Sequence, residues 1–514
     1  MKPVILCILD GVGIRKEKDG NAFKQAKTPN FDYMWKNYPH CTLEASGEFV
    51  GIPKGQMGNS EVGHTNIGAG RVVYQSFVKI NNAIKDKSFF KNEAFLNAIE
   101  NCKNNKSNLH ILTMVSDGGI HSHINHLKAL LDLCKKEDFK DVYIHAILDG
   151  RDTAPMVAPK FMKELQDHIE KVGIGTIATI QGRYYVMNRD RNWELTDMAY
   201  DAIMHGKSNI NVKSVKEAFQ KEYFEDLTDE FMKPTVINGG IKVEDKDSMI
   251  MANFRSDRMI QMLRALKEPG FKEFKVDNMD KLHLVTMTDY EDYSKYKNIH
   301  IAYEPEILVN TLGEYVSSKG LKQLRLSEFE KSSHVTFYLS GLTNEIYKNE
   351  KRKIFDRPKV FTYDEDPKMR CYDIESYLAQ NASKYDLTVL NFPNGDALGH
   401  TGIYPKVIEG VEHLDNALGR LLKDIDNRKF DVIITADHGN CEIMYDENGE
   451  PNKKHTTSQV PFIVLNKRYK LNSNKVGKLA DIAPTICSIM GLEVPKEMTG
   501  EVLVTKKETK KAKK

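Results

Sequence analysis

Short apolar runs recur along the chain at 4–9, 109–115, 142–148, 175–180, 248–253, 282–287, 387–390 and 432–435. Most of them end in a polar or glycine-containing loop. A continuous apolar run of this length reads as a strand buried on both faces, as in parallel sheets. Between the runs the period lengthens. Ile124, Leu127, Leu131 and Cys134 fall on one helical face, and so do Val411, Leu414, Leu418, Leu421 and Ile425. Strands alternating with helices predict an α/β fold with largely parallel sheets. Such sheets bind ligands beyond the carboxyl ends of their strands, and polar clusters sit at many of those ends here.

Composition changes this picture little. At 514 residues the chain is long enough for two or more domains, and 40% hydrophobic with 28% charged residues suits a globular protein with a real core. The net charge of +2 points to neither nucleic acid nor an acidic membrane. The stretch 506–514 is the exception: six lysines against one glutamate leave the rest of the chain near −3. With no apolar periodicity, 505–514 is expected to be a disordered, solvated tail. Seven scattered cysteines without a CxxC pair predict reduced thiols in a cytoplasmic protein. The apolar run at 4–9 is too short for a signal-peptide core or a membrane span.

Two sets of side chains carry candidate chemistry. The first is Asp10, Ser60, Asp396, His400, Asp437, His438 and His455. Carboxylates and imidazoles together suit divalent transition metals such as manganese or zinc. Asp396 and His400 share a face if their segment is helical. Ser60 lies in Gly55-Gln56-Met57-Gly58-Asn59-Ser60-Glu61-Val62-Gly63-His64, a glycine-rich loop expected to expose it. The loop lacks the Lys-Ser or Lys-Thr of a phosphate-cradling GxxxxGK[ST] motif, and a serine hydroxyl needs a base or a metal to attack.

The second set is arginine-rich: Arg151 and Asp152, Arg183, Arg189, Arg255 and Arg258, with His121 nearby in sequence pattern. Arg255 and Arg258 share a face if a helix begins there. Guanidinium groups grip phosphate and carboxylate bidentately, so the cluster suggests a small, doubly anionic substrate. The metal-type residues occupy the two ends of the chain and the arginines its middle. A discontinuous metal-bearing domain with a second domain inserted in it accounts for this order, with substrate expected in the cleft between them.

Met57-Gly58-Asn59-Ser60-Glu61-Val62-Gly63-His64, Asp149-Gly150-Arg151-Asp152, Asn253-Phe254-Arg255-Ser256-Asp257-Arg258, Asn394-Gly395-Asp396 with Gly399-His400-Thr401-Gly402, and Ala436-Asp437-His438-Gly439-Asn440 resemble the cofactor-independent phosphoglycerate mutases, alkaline-phosphatase-like metalloenzymes. The resemblance runs from Lys2 to about Val502. It implies a phosphatase-like domain with a parallel sheet in two pieces, 1–75 and 309–514, and an inserted α/β transferase domain, 76–308. It implies two Mn²⁺ per chain, one held by Asp396, His400 and His455, the other by Asp10, Ser60, Asp437 and His438, with no bisphosphoglycerate cofactor. His121, Arg151, Asp152, Arg183, Arg189, Arg255 and Arg258 match the substrate-binding positions. Lys331 matches a lysine that bridges substrate and metal site. A monomer acting on phosphoglycerates, without nucleic acid or membrane, is the expected state.

The expected reaction interconverts 3-phosphoglycerate and 2-phosphoglycerate, in glycolysis and gluconeogenesis, through a phosphoserine on Ser60. Asp152 is the expected general acid and base, kept ionised at rest by its neighbour Arg151. Metal loading is expected to fall at acid pH, where protons compete for the histidines. Two departures stand out. Asn188 occupies a position where aspartate is usual in the family, and Arg191 is displaced by one. A phosphomonoesterase or a phosphopentomutase is the alternative enzyme; the arginine-rich insert opposes the first, and the length and the 253–258 segment oppose the second.

Overall fold

Val4–Leu9 places six apolar side chains in a row, and every one is buried. A strand of this kind needs cover on both faces and partners on both edges. It has both. The computed structural model describes residues 2–290, 296–425, 429–471 and 476–507, and they divide into two compact units, Met1–Gln75 with Ile307–Lys514, and Ser76–Glu306.

In the first unit Val4–Leu9 is at the centre of an eight-stranded sheet. The order is Glu350–Phe355, Gln323–Glu328, Leu387–Phe392, Val4–Leu9, Asp431–Thr435, Val460–Val464, His40–Glu44, Gly477–Lys478. Val4 pairs in parallel with Leu387 on one side and Asp431 on the other. Val460–Val464 runs antiparallel to both of its neighbours. The helix Tyr404–Asp424 buries Val407, Val411, Leu414, Leu418 and Leu421 along one stripe, and Pro405 starts it where no intrahelical N–H is needed.

Three adjacent parallel strands therefore end side by side. Their carboxyl ends deliver Asp396 (after Leu387–Phe392), Asp10 (after Val4–Leu9) and Asp437 (after Asp431–Thr435). Ser60 differs from expectation. It is not on an exposed loop but is the first residue of the helix Ser60–Ala69, and only 5% of it is accessible. Asn59 caps that helix by accepting the Val62 N–H at 2.9 Å. The local pattern Asn-Ser-Glu is an N-cap signal that outweighs the preceding glycines.

Gly68 lies on this helix, and a Cβ there would run into the Leu339 carbonyl oxygen. Leu339 ends the short π-helical turn His334–Tyr338, which follows the 3₁₀ turn carrying Lys331. The missing side chain thus lets the Ser60 helix pack closely against the segment that supplies Lys331. Gly68→Ala is expected to destabilise the protein by about 2 kcal/mol through this overlap. Denaturant unfolding of the two proteins side by side checks it; an unchanged midpoint would remove the close-approach argument.

The second unit has its own eight-stranded sheet, ordered Ile299–Tyr303, His283–Thr288, Ser248–Met251, Leu109–Met114, Val142–Leu148, Thr176–Gly182, Thr235–Ile237, Ile210–Val212. All pairings are parallel except that of Thr176–Gly182 with Thr235–Ile237. Side chains alternate between two cores: Ile111, Ile250 and Val285 enter one, and Leu112, Met249, Met251 and Leu284 the other. That period of two is why these strands read as unbroken apolar runs.

Thr505 and Lys506, assigned by sequence to the disordered tail, belong to the strand Val504–Lys506, which pairs with Tyr469–Leu471. Val504 and Leu503 are buried, and that anchors the stretch. The rest of the tail, 508–514, lies outside the described residues. Among the described residues, no helix is long and apolar enough to cross a membrane.

Candidate active site

The three strand-end carboxylates of the first unit meet around Ser60 and Lys331. Lys331 Nζ donates to Asp10 Oδ1 at 2.8 Å, to Ser60 Oγ at 2.7 Å and to Asp396 Oδ2 at 2.7 Å. Ser60 Oγ donates to Asp10 Oδ1 at 3.2 Å, and His438 Nε2 lies 2.9 Å from it. Burial alone would raise the Asp10 and Asp396 carboxyls, but Lys331 beside them holds both well below the usual carboxylate range. Burial likewise opposes charge on Lys331, and Asp10 and Asp396 together push its ammonium up instead.

The imidazoles are aimed by their second nitrogens. His400 Nδ1 lies 2.8 Å from Lys453 O, His455 Nδ1 2.9 Å from Gly58 O, and His438 Nδ1 3.2 Å from Gly439 O. Each Nδ1–H donated to a carbonyl leaves Nε2 as the bare, ligating nitrogen. Those Nε2 atoms face carboxylates. His400 and His455 approach Asp396 Oδ1 at 3.2 and 3.1 Å, and each other at 3.0 Å. His438 approaches Asp10 Oδ1 at 3.4 Å and Asp437 Oδ2 at 3.6 Å. Asp396, His438 and His455 can offer ligand atoms within 4.8 Å of one another, and so can Asp10, Asp437 and His438.

These residues fit divalent cations. Asp437 Oδ2 is buried and accepts no hydrogen bond, with His64 Nδ1 at 3.2 Å and His438 Nε2 at 3.6 Å, which leaves a carboxylate oxygen for a cation to serve. Burial disfavours a charged His438, yet Asp437 and Asp10 beside it raise it to about 10, the mark of a site that favours positive charge. All seven residues of the first sequence-predicted set come together, with Lys331 among them.

Sequence reasoning missed three neighbours. Asn391 donates to Asp10 Oδ2 at 2.7 Å and lies 3.1 Å from His64 Nε2, while His64 Nδ1 is 2.8 Å from Ser60 O. Asn440 donates to Asp396 Oδ1 at 3.0 Å. An asparagine near the end of the mostly apolar 387–392 run was the available signal for Asn391.

The second unit holds the arginines, again at carboxyl ends of strands. Arg151, Arg183, Arg189 and Arg258 line a cavity of about 320 Å³ together with Tyr184 and Glu230. Burial and then the neighbouring Arg189, Arg183 and Arg151 depress the Arg258 guanidinium. Arg183 is buried; its Nη1 donates to Asp149 Oδ1 at 2.7 Å and Asp152 Oδ2 at 2.6 Å, and its Nη2 to His121 Nε2 at 2.9 Å. His121 is pushed down to about 4 by burial and by Arg183, so it is neutral, and its Nδ1–H is buried without a partner.

Three expectations change here. Asp152 pairs with Arg183, not with its sequence neighbour Arg151, whose guanidinium faces Glu230 at 3.7 Å; the chain turns at Gly150 (φ +68°), separating adjacent side chains. Arg255 and Arg258 share no helix, because Ile260–Lys267 begins after both. Arg255 is outside the cavity lining and joins Arg189 through Asp257, at 3.0 and 2.7 Å. The Asn188 departure is accommodated: its Oδ1 accepts the N–H groups of Asp190 and Asn192, both at 3.1 Å. An amide oxygen does this as well as a carboxylate. Arg191 takes a left-handed φ of +61° in the same turn.

A largely parallel sheet with carboxylates, imidazoles and a serine at its strand ends, and a second α/β unit with an arginine-lined cavity, fit an α/β metalloenzyme of the alkaline-phosphatase-like class. The BPG-independent PGAM N-terminus family matches residues 80–292, and the type I phosphodiesterase / nucleotide pyrophosphatase family matches 296–504. The 2,3-bisphosphoglycerate-independent phosphoglycerate mutase of Clostridium novyi is 48% identical over 98% of this chain and 99% of its own, and that of Clostridium acetobutylicum is 48% identical over the same shares. The crystal structure of Leishmania mexicana phosphoglycerate mutase at low cobalt concentration matches with a TM-score of 0.56 and 30% identity, over 98% of each chain. The chain belongs to the 2,3-bisphosphoglycerate-independent phosphoglycerate mutases. It is an isomerase that needs no bisphosphoglycerate.

Proposed function

We propose that this mutase interconverts 3-phosphoglycerate and 2-phosphoglycerate through a phosphoserine on Ser60, assisted by two divalent cations, manganese by preference. The convergence of Lys331, His438 and Asp10 on the Ser60 hydroxyl carries this reading. Asp396, His400 and His455 would hold one cation, and Asp10, Ser60, Asp437 and His438 the other. When bound, such cations supply positive charge that favours the serine alkoxide and the phosphoryl oxygens.

The chain's own groups do the rest. Arg151, Arg183, Arg189 and Arg258 grip the two anionic ends of phosphoglycerate. His121 offers its unpartnered Nδ1–H to a substrate oxygen. Ser60 Oγ gives up its proton to solvent before the reaction and attacks phosphorus as the alkoxide. The glycerate O–P bond breaks, and the phosphoryl group rests on Ser60 until its transfer back regenerates the alkoxide. Lys331 donates to that oxygen as charge develops. Asp152 takes up a proton as substrate binds and passes it to the departing glycerate oxygen. It recovers one from the other hydroxyl when that attacks the phosphoserine, so it ends the cycle as it entered the chemistry. Arg183 holds Asp152 in place for both halves. A monomeric, cytoplasmic enzyme of glycolysis and gluconeogenesis completes the proposal.

Acid quenching of enzyme turning over radiolabelled 3-phosphoglycerate, followed by peptide mapping, should recover label on Ser60. Label on a histidine, or turnover with no labelled protein, would refute the scheme. Arg258→Lys should raise KM by about tenfold, because a point charge cannot reproduce a bidentate fork. Unchanged kinetics would take Arg258 out of the substrate site.

A further inference from the structure

Glu442 is fully buried, and nothing in the mechanism uses it. Its carboxylate nevertheless joins three loops. Oε2 accepts the Gly13 N–H at 3.1 Å and the Asn440 N–H at 3.0 Å, and Oε1 accepts the Thr456 hydroxyl. Gly13 follows Asp10 on the loop after Val4–Leu9. Asn440 follows Asp437 and His438 on the loop after Asp431–Thr435. Thr456 adjoins His455 on the segment leading to Val460–Val464. Each partner is thus within three residues of a proposed cation ligand.

A second feature makes the same point. A Cβ at Gly13 or at Gly439 would run into the Glu442 carboxylate. The two loops lack side chains where the carboxylate enters between them.

We infer that Glu442 is a positioning residue that sets the cation-binding loops of Asp10, Asp437, His438 and His455 in mutual register. The inference rests on the proposal that those residues hold divalent cations. What matters is the acceptor geometry, not the negative charge. A glutamine can present its amide oxygen to the two N–H groups and its NH₂ to the Thr456 oxygen. Alanine loses all three contacts and leaves the N–H groups unpaired in a buried space.

The test titrates Mn²⁺ calorimetrically into the metal-stripped full chain, for the parent, Glu442→Gln, Glu442→Ala, Thr456→Val and Asp437→Ala, and follows kcat and KM for 3-phosphoglycerate. Glu442→Ala should bind Mn²⁺ about 10–100-fold more weakly, as expected when ligand support is removed. Its kcat should fall while KM stays near the parent's, since the arginines are untouched. Glu442→Gln should restore binding to within a few-fold of the parent, and Thr456→Val should fall between. Parent-like binding by Glu442→Ala, or a glutamine variant as weak as the alanine one, would overturn the inference. If the alanine variant does not fold, unchanged Mn²⁺ affinity in Thr456→Val overturns it equally. Asp437→Ala separates the two levels: if it keeps its Mn²⁺, the cation assignment has failed, and the role of Glu442 with it.

Discussion

Ser60→Ala should lower mutase turnover by at least about 10⁴-fold, because a nucleophile that forms a covalent intermediate has no substitute. The hydroxyl is the only atom removed. Asp10, His438 and Lys331, which all meet Ser60 Oγ, remain to bind one another, so the fold should survive. The labelled phosphoprotein should vanish together with turnover. Circular dichroism and a melting curve close to the parent's would show that the loss is chemical. Retention of a tenth of the parent's rate would end the phosphoserine scheme, since water or a neighbouring group would then be doing the transfer.

Lys331→Met should have the second largest effect, and it should be visible without substrate. Lys331 Nζ donates to both Asp10 and Asp396, at 2.8 and 2.7 Å. Methionine keeps the bulk and removes the charge. Taking one partner from a buried ion pair destabilises by about 3–5 kcal/mol, because the remaining charge is uncompensated. Here Asp10 and Asp396 would keep the His438 imidazole, at 3.4 and 3.9 Å, but lose the ammonium that donates to both. The metal-stripped variant should therefore melt well below the stripped parent. Added Mn²⁺ should recover part of the difference if, as proposed, cations held at Asp10 and Asp396 replace the lost charge. Turnover should stay low even when loaded, since the donor to Ser60 Oγ is gone. Equal melting temperatures for the two stripped proteins would refute the electrostatic account.

Much of this was legible along the chain. The runs at 4–9, 142–148 and 387–390 are strands because a strand covered on both faces is mostly apolar, with the occasional buried polar residue such as His145 or Thr388. Gln323–Glu328 and Glu350–Phe355 were not legible. One holds the fully buried Arg325 and Gln323, the other alternates lysine and arginine along a sheet edge, and neither carries an apolar run. Ser60 is not where its glycines suggest: they point to an exposed loop, while capping by Asn59 starts a helix at Ser60.

The sequence by itself determined the α/β class, the succession of strand ends and the residue types at them, because periodicity and composition are local properties of the chain. It did not determine partners. That Arg183 and not Arg151 holds Asp152, that Asp257 ties Arg189 to Arg255, and that Glu442 reaches three loops at once were decided only by tertiary structure. These contacts join residues far apart in the chain, and they depend on which strands lie side by side in each sheet, which no local pattern encodes.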